Sequence, residues 1–188
     1  EKDAVALEFL LRDRCRFEVT CLINAQATRR AIRDAWEALC EGLSPGDALL
    51  FYFAGHGHDL NDGQHALMPF DVRLRDIDDD QDPDLIRVRR LEEKSRHCGA
   101  SRFLLYDACR TPLRYGTRDA NAQLANPGAR DMEVLIKKDC QGASHPPLAA
   151  LWACSPGERA YEIPKLGRSV FSLAFENLIA SFAQEGRE

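Results

Sequence analysis

Three short, uninterrupted apolar runs constrain the fold of this chain most strongly. They are ALLFYFA at 48–54, SRFLLYDA at 101–108 and LAALWAC at 148–154. Runs of this length without polar alternation are typical of strands buried on both faces, which occur mainly in parallel sheets. Parallel strands need crossover connections, and these are usually helices. The runs therefore predict a mostly parallel sheet with helices packed against it.

Helical and strand patterns surround these runs. Apolar residues at helical spacing predict helices at 3–14, from Thr28 to about Gly42, at 85–97 and at 169–184. Two further strands are predicted, at 17–23 (FEVTCLI), which is rich in β-branched residues, and at 65–71 (HALMPFD). Strands that alternate with helices indicate the α/β class.

Length and composition indicate one compact domain. The chain has 188 residues, of which 45% are hydrophobic, enough for a sizeable core. The net charge is −5, and no basic stripe with interleaved aromatic residues occurs, which argues against nucleic acid as a partner. No apolar run is long enough to span a membrane, so no membrane association is expected.

The cysteine pattern argues against a disulfide framework and against common metal motifs. There are 7 cysteines at irregular spacings, and no two of them form a CxxC pair. Neither a zinc ribbon nor a thioredoxin-type redox motif is therefore available. An odd number of cysteines without a signal peptide is typical of a reducing compartment, so we expect a cytoplasmic location.

Two of the buried runs end at a reactive residue. His56 lies between two glycines just after the first run, and Cys109 follows the second run directly. Ligands of parallel sheets bind beyond the carboxyl ends of the strands. A thiol needs a neighbouring base to become a good nucleophile, and histidine suits that role. Each residue alone has a simpler interpretation, a structural cysteine and a turn histidine, but together they indicate nucleophilic catalysis.

The two motifs and their order resemble the caspase-like cysteine peptidases, which comprise caspases, metacaspases and paracaspases. In caspases a histidine precedes the nucleophile by about 50 residues and the cysteine lies in an Ala-Cys-Arg-like context; here the interval is 109 − 56 = 53 residues and the context is Ala108-Cys109-Arg110. The segments that carry the resemblance are LLFYFAGHG, ALMPFD, FLLYDACR, WACSPGERAYE and GRSVFSLAFENL.

This resemblance extends from about Asp3 to Leu178 and implies both a fold and a catalytic mechanism. The implied fold is a caspase-like three-layer α/β/α sandwich with a mostly parallel central sheet. It would form a single domain over 1–188, and the family's first strand could lie outside the sequence. His56 would be the general base and Cys109 the nucleophile, and the backbone amides of Gly57 and Cys109 would form the oxyanion hole.

Within the family, the chain is most similar to paracaspases and their prokaryotic relatives. Two residues before the nucleophile it has Asp107, where aspartate-specific caspases have glutamine. After the nucleophile it has Arg110, Thr111 and Pro112, where metacaspases usually have His-Ser-Gly. The resulting pattern, Asp-x-Cys-Arg, matches paracaspases best.

Asp107 also predicts which peptide bond is cut. A carboxylate beside the nucleophile attracts a cationic P1 side chain, and arginine can bind it with two hydrogen bonds. By resemblance, Glu162 matches the acid of the paracaspase S1 pocket and Asp3 matches the acid at the start of the first helix. Three converging acids predict cleavage after Arg in preference to Lys. The alternative is that all three are solvated or helix-capping acids.

A long loop at 112–147 takes the place of the caspase intersubunit linker. It carries prolines, glycines and scattered charges with little periodicity. Its basic residues belong to the class that the pocket should accept: Arg114, Arg118, Arg130, Lys137 and Lys138. Autoprocessing in this loop is one hypothesis, and a basic surface loop that is never cut is the other.

Metal binding is a weaker interpretation. His56 and His58 could bind zinc together with Asp59 or Asp62, but no CxxC or HExxH partner is present. The acidic residues at 76–84 resemble a calcium site in composition, but they lack the glycine and final glutamate of an EF-hand. We therefore predict no metal and no cofactor, with regulatory calcium as the remaining option.

Three functions stay open at this level. The first is an endopeptidase acting on protein substrates; the second is a catalytically silent interaction module of the same fold; the third is a metal-dependent hydrolase built on His56 and His58. The family resemblance also implies a possible regulatory or sensor partner and a possible homodimer.

Overall fold

The computed structural model describes residues 1–60, 62–73, 84–112, 134–135 and 147–185. Its helices are α1 (Lys2–Asp13), α2 (Arg29–Gly42), α3 (Val88–Ser95) and α4 (Val170–Glu185). Its strands are β1 (Ala48–Gly55), β2 (Gly57–Asp59), β3 (His65–Leu67), β4 (Ile86–Arg87), β5 (Ser101–Ala108), β6 (Thr111–Pro112), β7 (Val134–Leu135), β8 (Leu148–Trp152), β9 (Glu162–Ile163) and β10 (Arg168–Ser169). None of the helices in these ranges is long and apolar enough to cross a membrane.

The central sheet has the strand order β1-β5-β8-β7. The three buried runs of the sequence form β1, β5 and β8, which are parallel to one another, and β7 is antiparallel to β8. Strands β1 and β5 pair without a bulge over their whole length, from Ala48 opposite Ser101 to Gly55 opposite Ala108. The predicted mostly parallel sheet is therefore confirmed.

Side chains alternate between two helical layers along these strands. Leu104, Tyr106 and Ala108 belong to the core that α2 and α3 cover. On that face the Trp36 indole stands edge-on to Phe51 at 5.2 Å between ring centroids. The opposite face is covered by α1, which packs against both β1 and α4. The three-layer α/β/α arrangement is thereby confirmed.

Side-chain caps help to fix where the helices begin. The Thr28 hydroxyl accepts a hydrogen bond from the Ala31 amide at 3.2 Å at the start of α2. The Ser169 hydroxyl accepts one from the Ser172 amide at 2.8 Å at the start of α4. A cap of this kind stabilises a helix by about 1 kcal/mol. The Ser169 cap also holds this residue in place beside β5.

A second, smaller sheet has the order β4-β3-β2-β6. Strands β2 and β3 form an antiparallel pair, and β6 runs parallel to β2. The predicted strand at 65–71 is thus confirmed at its start, as β3. This sheet brings the segment that follows β1 against the segment that follows β5.

The predicted strand at 17–23 is wrong. The structure gives this segment no strand, and the Phe17 amide bonds instead to the carbonyl of Leu11 in α1 at 3.0 Å. It borders a groove beside the edge of β1 that faces away from β5. Within the described ranges no strand pairs with it, and β-branched residues form a strand only where a hydrogen-bonded partner is available.

Two other predictions fall mostly outside the described residues. Of the loop at 112–147, the structure describes the end of β6, strand β7 and the residue before β8. Of the acidic stretch at 76–84, it describes only Asp84. The linker and calcium predictions therefore stay predictions.

Candidate active site

The register of the two sheets places His56 and Cys109 opposite each other. Gly55 pairs with Ala108 in the central sheet, an offset of 108 − 55 = 53 residues. His58 pairs with Thr111 in the small sheet, and 111 − 58 = 53 is the same offset. His56 and Cys109 have this offset too, so they occupy matching positions in the short gap between the two paired segments. His56 is exposed and Cys109 is half-buried.

Strand pairing also orients the amide of Gly57. The Met68 amide donates to the His56 carbonyl at 3.0 Å, which makes these two residues a hydrogen-bonded antiparallel pair. The next pair, Gly57 opposite Leu67, is therefore a non-hydrogen-bonded one. In such a pair the N–H points away from the partner strand. The Gly57 amide thus points away from β3, to the side on which β6 and Cys109 lie.

Gly57 occupies a cradle that leaves no room for a side chain. A Cβ atom there would lie 2.7 Å from Nε2 of His65, 2.9 Å from Cβ of Ala108 and 2.9 Å from the carbonyl oxygen of Cys109. Contacts below 3.0 Å essentially never occur for real Cβ atoms. The glycine therefore allows the backbone after β1 to lie directly against the backbone after β5.

We expect Gly57→Ala to destabilise the protein by about 1–3 kcal/mol, because the added methyl forces the two segments apart. Gly42→Ala is the matched control, since nothing lies within 4 Å of a Cβ at that helical position. The control should be neutral or slightly stabilising. Thermal and urea unfolding of both variants measure the difference. Equal stability of the two variants would contradict the close approach at Gly57.

A polar cluster lies next to Gly57, with His65 buried and its partners half-buried. His65 Nδ1 is 2.8 Å from Oδ1 of Asp59, and the His65 ring stands edge-on to Trp152 at 4.8 Å. The guanidinium of Arg110 stacks over the same indole at 4.5 Å, and its Nε lies 3.7 Å from Asp59 Oδ1. Burial lowers the pKa of His65, and the Asp59 carboxylate opposes that shift.

Cys154 is a second thiol near the site, two residues after the end of β8. It is buried, and its Sγ lies 3.4 Å from the carbonyl oxygen of Ala108. Burial raises the pKa of Cys154 to about 11, and the neighbouring Cys109 adds to the shift. A thiol held in its protonated form is a poor nucleophile. The half-buried Cys109 is therefore the better candidate.

Asp107 lies on the opposite face of β5 from Ala108, and the residue is 5% exposed. It accepts hydrogen bonds from the hydroxyl of Tyr52, at 3.0 Å, and from the hydroxyl of Ser169. Burial raises the pKa of Asp107; the two hydroxyls oppose the shift, and the negative charges of Asp3 and Glu162 add to it. The three acids predicted from the sequence therefore act on one another electrostatically.

Ser169 connects these acids. Its amide donates to both carboxylate oxygens of Asp3, at 3.2 and 3.3 Å, while its hydroxyl donates to Asp107. In the β9–β10 ladder Ser169 lies directly opposite Glu162, which is exposed. Asp3 is buried and also binds Nε of Arg168 at 2.6 Å. Asp107 and Asp3 thus share Ser169 at the start of α4, and Glu162 lies beside it.

The described residues contain no group of three or more His, Cys, Asp and Glu that could hold a metal ion. His58, the proposed partner of His56 in a zinc site, instead has its Nδ1 3.3 Å from the carbonyl oxygen of Thr111. Burial lowers the pKa of His58, which favours the neutral ring. The hydrogen bond to Thr111 gives this residue a structural role at the β2–β6 pairing.

Comparison with known families assigns the fold. The sequence model described as "Caspase domain" matches residues 1–188, the whole chain. The chain belongs to the caspase family. No curated protein matches this caspase domain closely enough to count as a relative. The family is one of cysteine peptidases, which supports the same activity for this domain.

Four residues organise the site in roles that were not predicted from the sequence. Ser169 had a usable signal, because a serine just before an amphipathic run is a typical helix cap. Tyr52 was hidden inside an apolar strand, and Asp59 and His65 lay in a glycine-rich loop and a short strand. Their partners depend on cross-strand register, which the sequence does not specify there.

Proposed function

We propose that this caspase domain is a cysteine endopeptidase of the paracaspase type that cleaves proteins after a basic residue, Arg in preference to Lys. The observation that carries the proposal is the acidic cluster around Ser169, since Asp107 is two residues from Cys109. A buried acid whose charge is poorly compensated favours a cationic ligand.

The dyad would work as follows. His56 removes the thiol proton of Cys109, and the sulfur attacks the carbonyl carbon of the scissile bond. The amides of Gly57 and Cys109 stabilise the oxyanion of the tetrahedral intermediate. His56 then gives its proton to the leaving amine, which leaves a thioacyl-enzyme. Water activated by His56 hydrolyses this thioester and restores the thiol.

The three acids would have different roles in the S1 pocket. Asp107 is buried and would form the floor, where it pairs with the P1 guanidinium or ammonium group. Glu162 is exposed and would form the rim. Asp3 already binds Arg168, so it would act chiefly by holding Ser169 in place. An arginine at P1 gains more than a lysine because its planar group can form two parallel hydrogen bonds with a carboxylate.

A panel of fluorogenic peptides that differ only in P1 tests this proposal. We expect cleavage after Arg to be fastest, after Lys slower, and after Asp undetectable, with no effect of a chelator. Cys109→Ala should abolish all cleavage while the protein stays folded. Activity that survives this substitution but not the chelator would favour the metal-dependent hydrolase. Absence of cleavage by wild type and variant alike would favour a catalytically silent module.

Autoprocessing in the loop at 112–147 stays a proposal that rests on its basic residues. Mass spectrometry of the purified wild type and of Cys109→Ala tests it. We expect fragments that end at Arg or Lys of this loop in the wild type only. Identical fragment patterns would contradict autoprocessing.

A further inference from the structure

We propose that Asp59 and His65 form a positioning pair that sets the distance between the Gly57 amide and Cys109, and so tunes the oxyanion hole. The inference rests on the proposed function, because it assigns a role in the same catalytic step. Neither residue contacts the reacting atoms in this account. Both act through Gly57.

Strand pairing brings these residues to Gly57. Asp59 and His65 are direct partners in the β2–β3 ladder, and their side chains meet on one face at 2.8 Å. Gly57 lies on the same face of β2, two residues before Asp59, and is therefore the diagonal neighbour of His65. The imidazole consequently covers the position that a Gly57 side chain would take.

The environment of Nε2, the second ring nitrogen of His65, indicates a positioning role for the ring. An ionised carboxylate only accepts hydrogen bonds, so Nδ1 carries the proton and donates to Asp59. Nε2 then carries a lone pair, and it is buried without a hydrogen-bond partner in the part of the chain that the structure describes. A buried acceptor without a partner is costly. The ring is therefore kept in place by Asp59 and by packing, with its far end against Gly57.

Two further contacts restrict movement of the ring. The Trp152 indole closes one side of it, and Arg110 covers that indole while its charge lies near Asp59. Arg110 is in turn fixed through its backbone, since its amide donates to the carbonyl of Glu158 at 2.9 Å. The cluster thus links β2 and β3 to the residue immediately after Cys109.

Loss of this support should affect the transition state more than substrate binding. A displacement of about 1 Å in a catalytic group can cost about 100-fold in rate. The P1 pocket of the proposed function is built around Asp107, which bonds to Ser169 on the other face of β5, and His65 is not part of it. We therefore expect a lower kcat with a nearly unchanged KM.

The test compares three variants of the full domain. His65→Leu removes the hydrogen bond to Asp59 at similar volume. His65→Asn keeps a donor near the position of Nδ1 and should restore part of the function. Ile32→Val, in the buried part of α2, is the control for lost stability without a change at the site. Its expected destabilisation is modest, since it removes one methylene.

Three readouts apply to each variant: kcat and KM on an Arg peptide, affinity for a peptidyl-arginine aldehyde, and the rate of Cys109 alkylation by iodoacetamide. The aldehyde forms a tetrahedral hemithioacetal whose oxygen takes the place of the oxyanion, whereas alkylation needs no oxyanion hole. We expect His65→Leu to lower kcat and aldehyde affinity by about 10- to 100-fold and to leave KM and alkylation within about 3-fold. His65→Asn should recover at least half of that loss on a logarithmic scale.

The proposal is overturned if His65→Leu keeps the kcat and aldehyde affinity of Ile32→Val, or if alkylation falls in parallel with kcat. If His65→Leu does not fold, the same readouts are made on His65→Asn and Asp59→Asn. The proposal is then overturned if both variants keep the kcat and the aldehyde affinity of the wild type. Failure of the proposed function is distinguishable, because the wild type itself would then neither cleave the Arg peptide nor bind the aldehyde.

Discussion

Replacing His56 with alanine is expected to lower kcat by roughly 10³-fold near neutral pH, because the thiol of Cys109 loses its general base. Hydroxide can replace the missing base at higher pH, so the remaining activity should rise with pH. The loss relative to wild type should therefore be smaller at pH 9 than at pH 7. Steady-state kinetics at both values measure it.

His58→Ala is the matched control, since it removes a histidine two residues away. Its ring interacts with the Thr111 carbonyl and, in this account, takes no part in the chemistry. We expect it to cost at most several-fold in kcat. Equal losses from His56→Ala and His58→Ala would contradict the dyad and favour a metal site that uses both rings. A His56→Ala variant that retains activity within a few-fold would contradict the dyad alone.

Asp107→Asn is expected to cost about 3 kcal/mol in the binding of a basic P1 residue, or roughly 10²-fold in kcat/KM for Arg peptides, because it removes a buried charged partner. Asn has nearly the same shape, so peptides with a neutral P1 residue should be affected much less. The preference for Arg should therefore collapse. Glu162→Gln, an equivalent change at an exposed position, should cost less than 10-fold.

The same substitution should stabilise the unliganded protein. Burial raises the pKa of Asp107 above its ordinary value of 3.8 in the folded state. The protonated carboxyl therefore contributes its full share to folding stability at a pH below 3.8. This contribution is lost as the pH rises through the pKa of the folded state. At neutral pH the ionised carboxyl lowers stability, and asparagine avoids that penalty. The Tm of Asp107→Asn should exceed that of wild type at pH 7, and the two should converge towards pH 4.

Asp34→Asn removes the same charge from the exposed face of α2, far from Ser169 in sequence and in the fold. It should change neither the P1 preference nor the pH dependence of Tm. If Asp107→Asn keeps a preference for Arg within about 3-fold of wild type, the pocket assignment is wrong. If its Tm at pH 7 falls below that of wild type, the account of its raised pKa is wrong.

The parallel strands, and the matching register positions of His56 and Cys109, were predictable for one physical reason. Strand β5 is mostly buried and the middle of β1 is half-buried between helices and sheet, so their apolar runs are continuous and visible in the sequence. They also pair in register to their last residues. The interval of 53 residues between the two reactive residues is therefore the register offset of the sheet itself.

The parts that were not predictable depend on partners distant in sequence. The segment at 17–23 has the composition of a strand, but its strand character depends on a pairing that composition does not reveal. Whether Asp107 faces solvent or a serine depended on the position of Ser169, which α4 brings against β5. The pairing of Asp59 with His65 depended on the register of two three-residue strands.

Covalent trapping by a peptidyl-arginine chloromethyl ketone tests the central claim most directly, because the reagent needs both a basic P1 pocket and a reactive thiol. Peptide mapping by mass spectrometry should find a single adduct, on Cys109. The protonated, buried Cys154 should stay unmodified, and an aspartyl analogue of the reagent should label far more slowly. An adduct on any other cysteine, equal labelling of Cys109→Ala, or faster labelling by the aspartyl reagent would contradict the account.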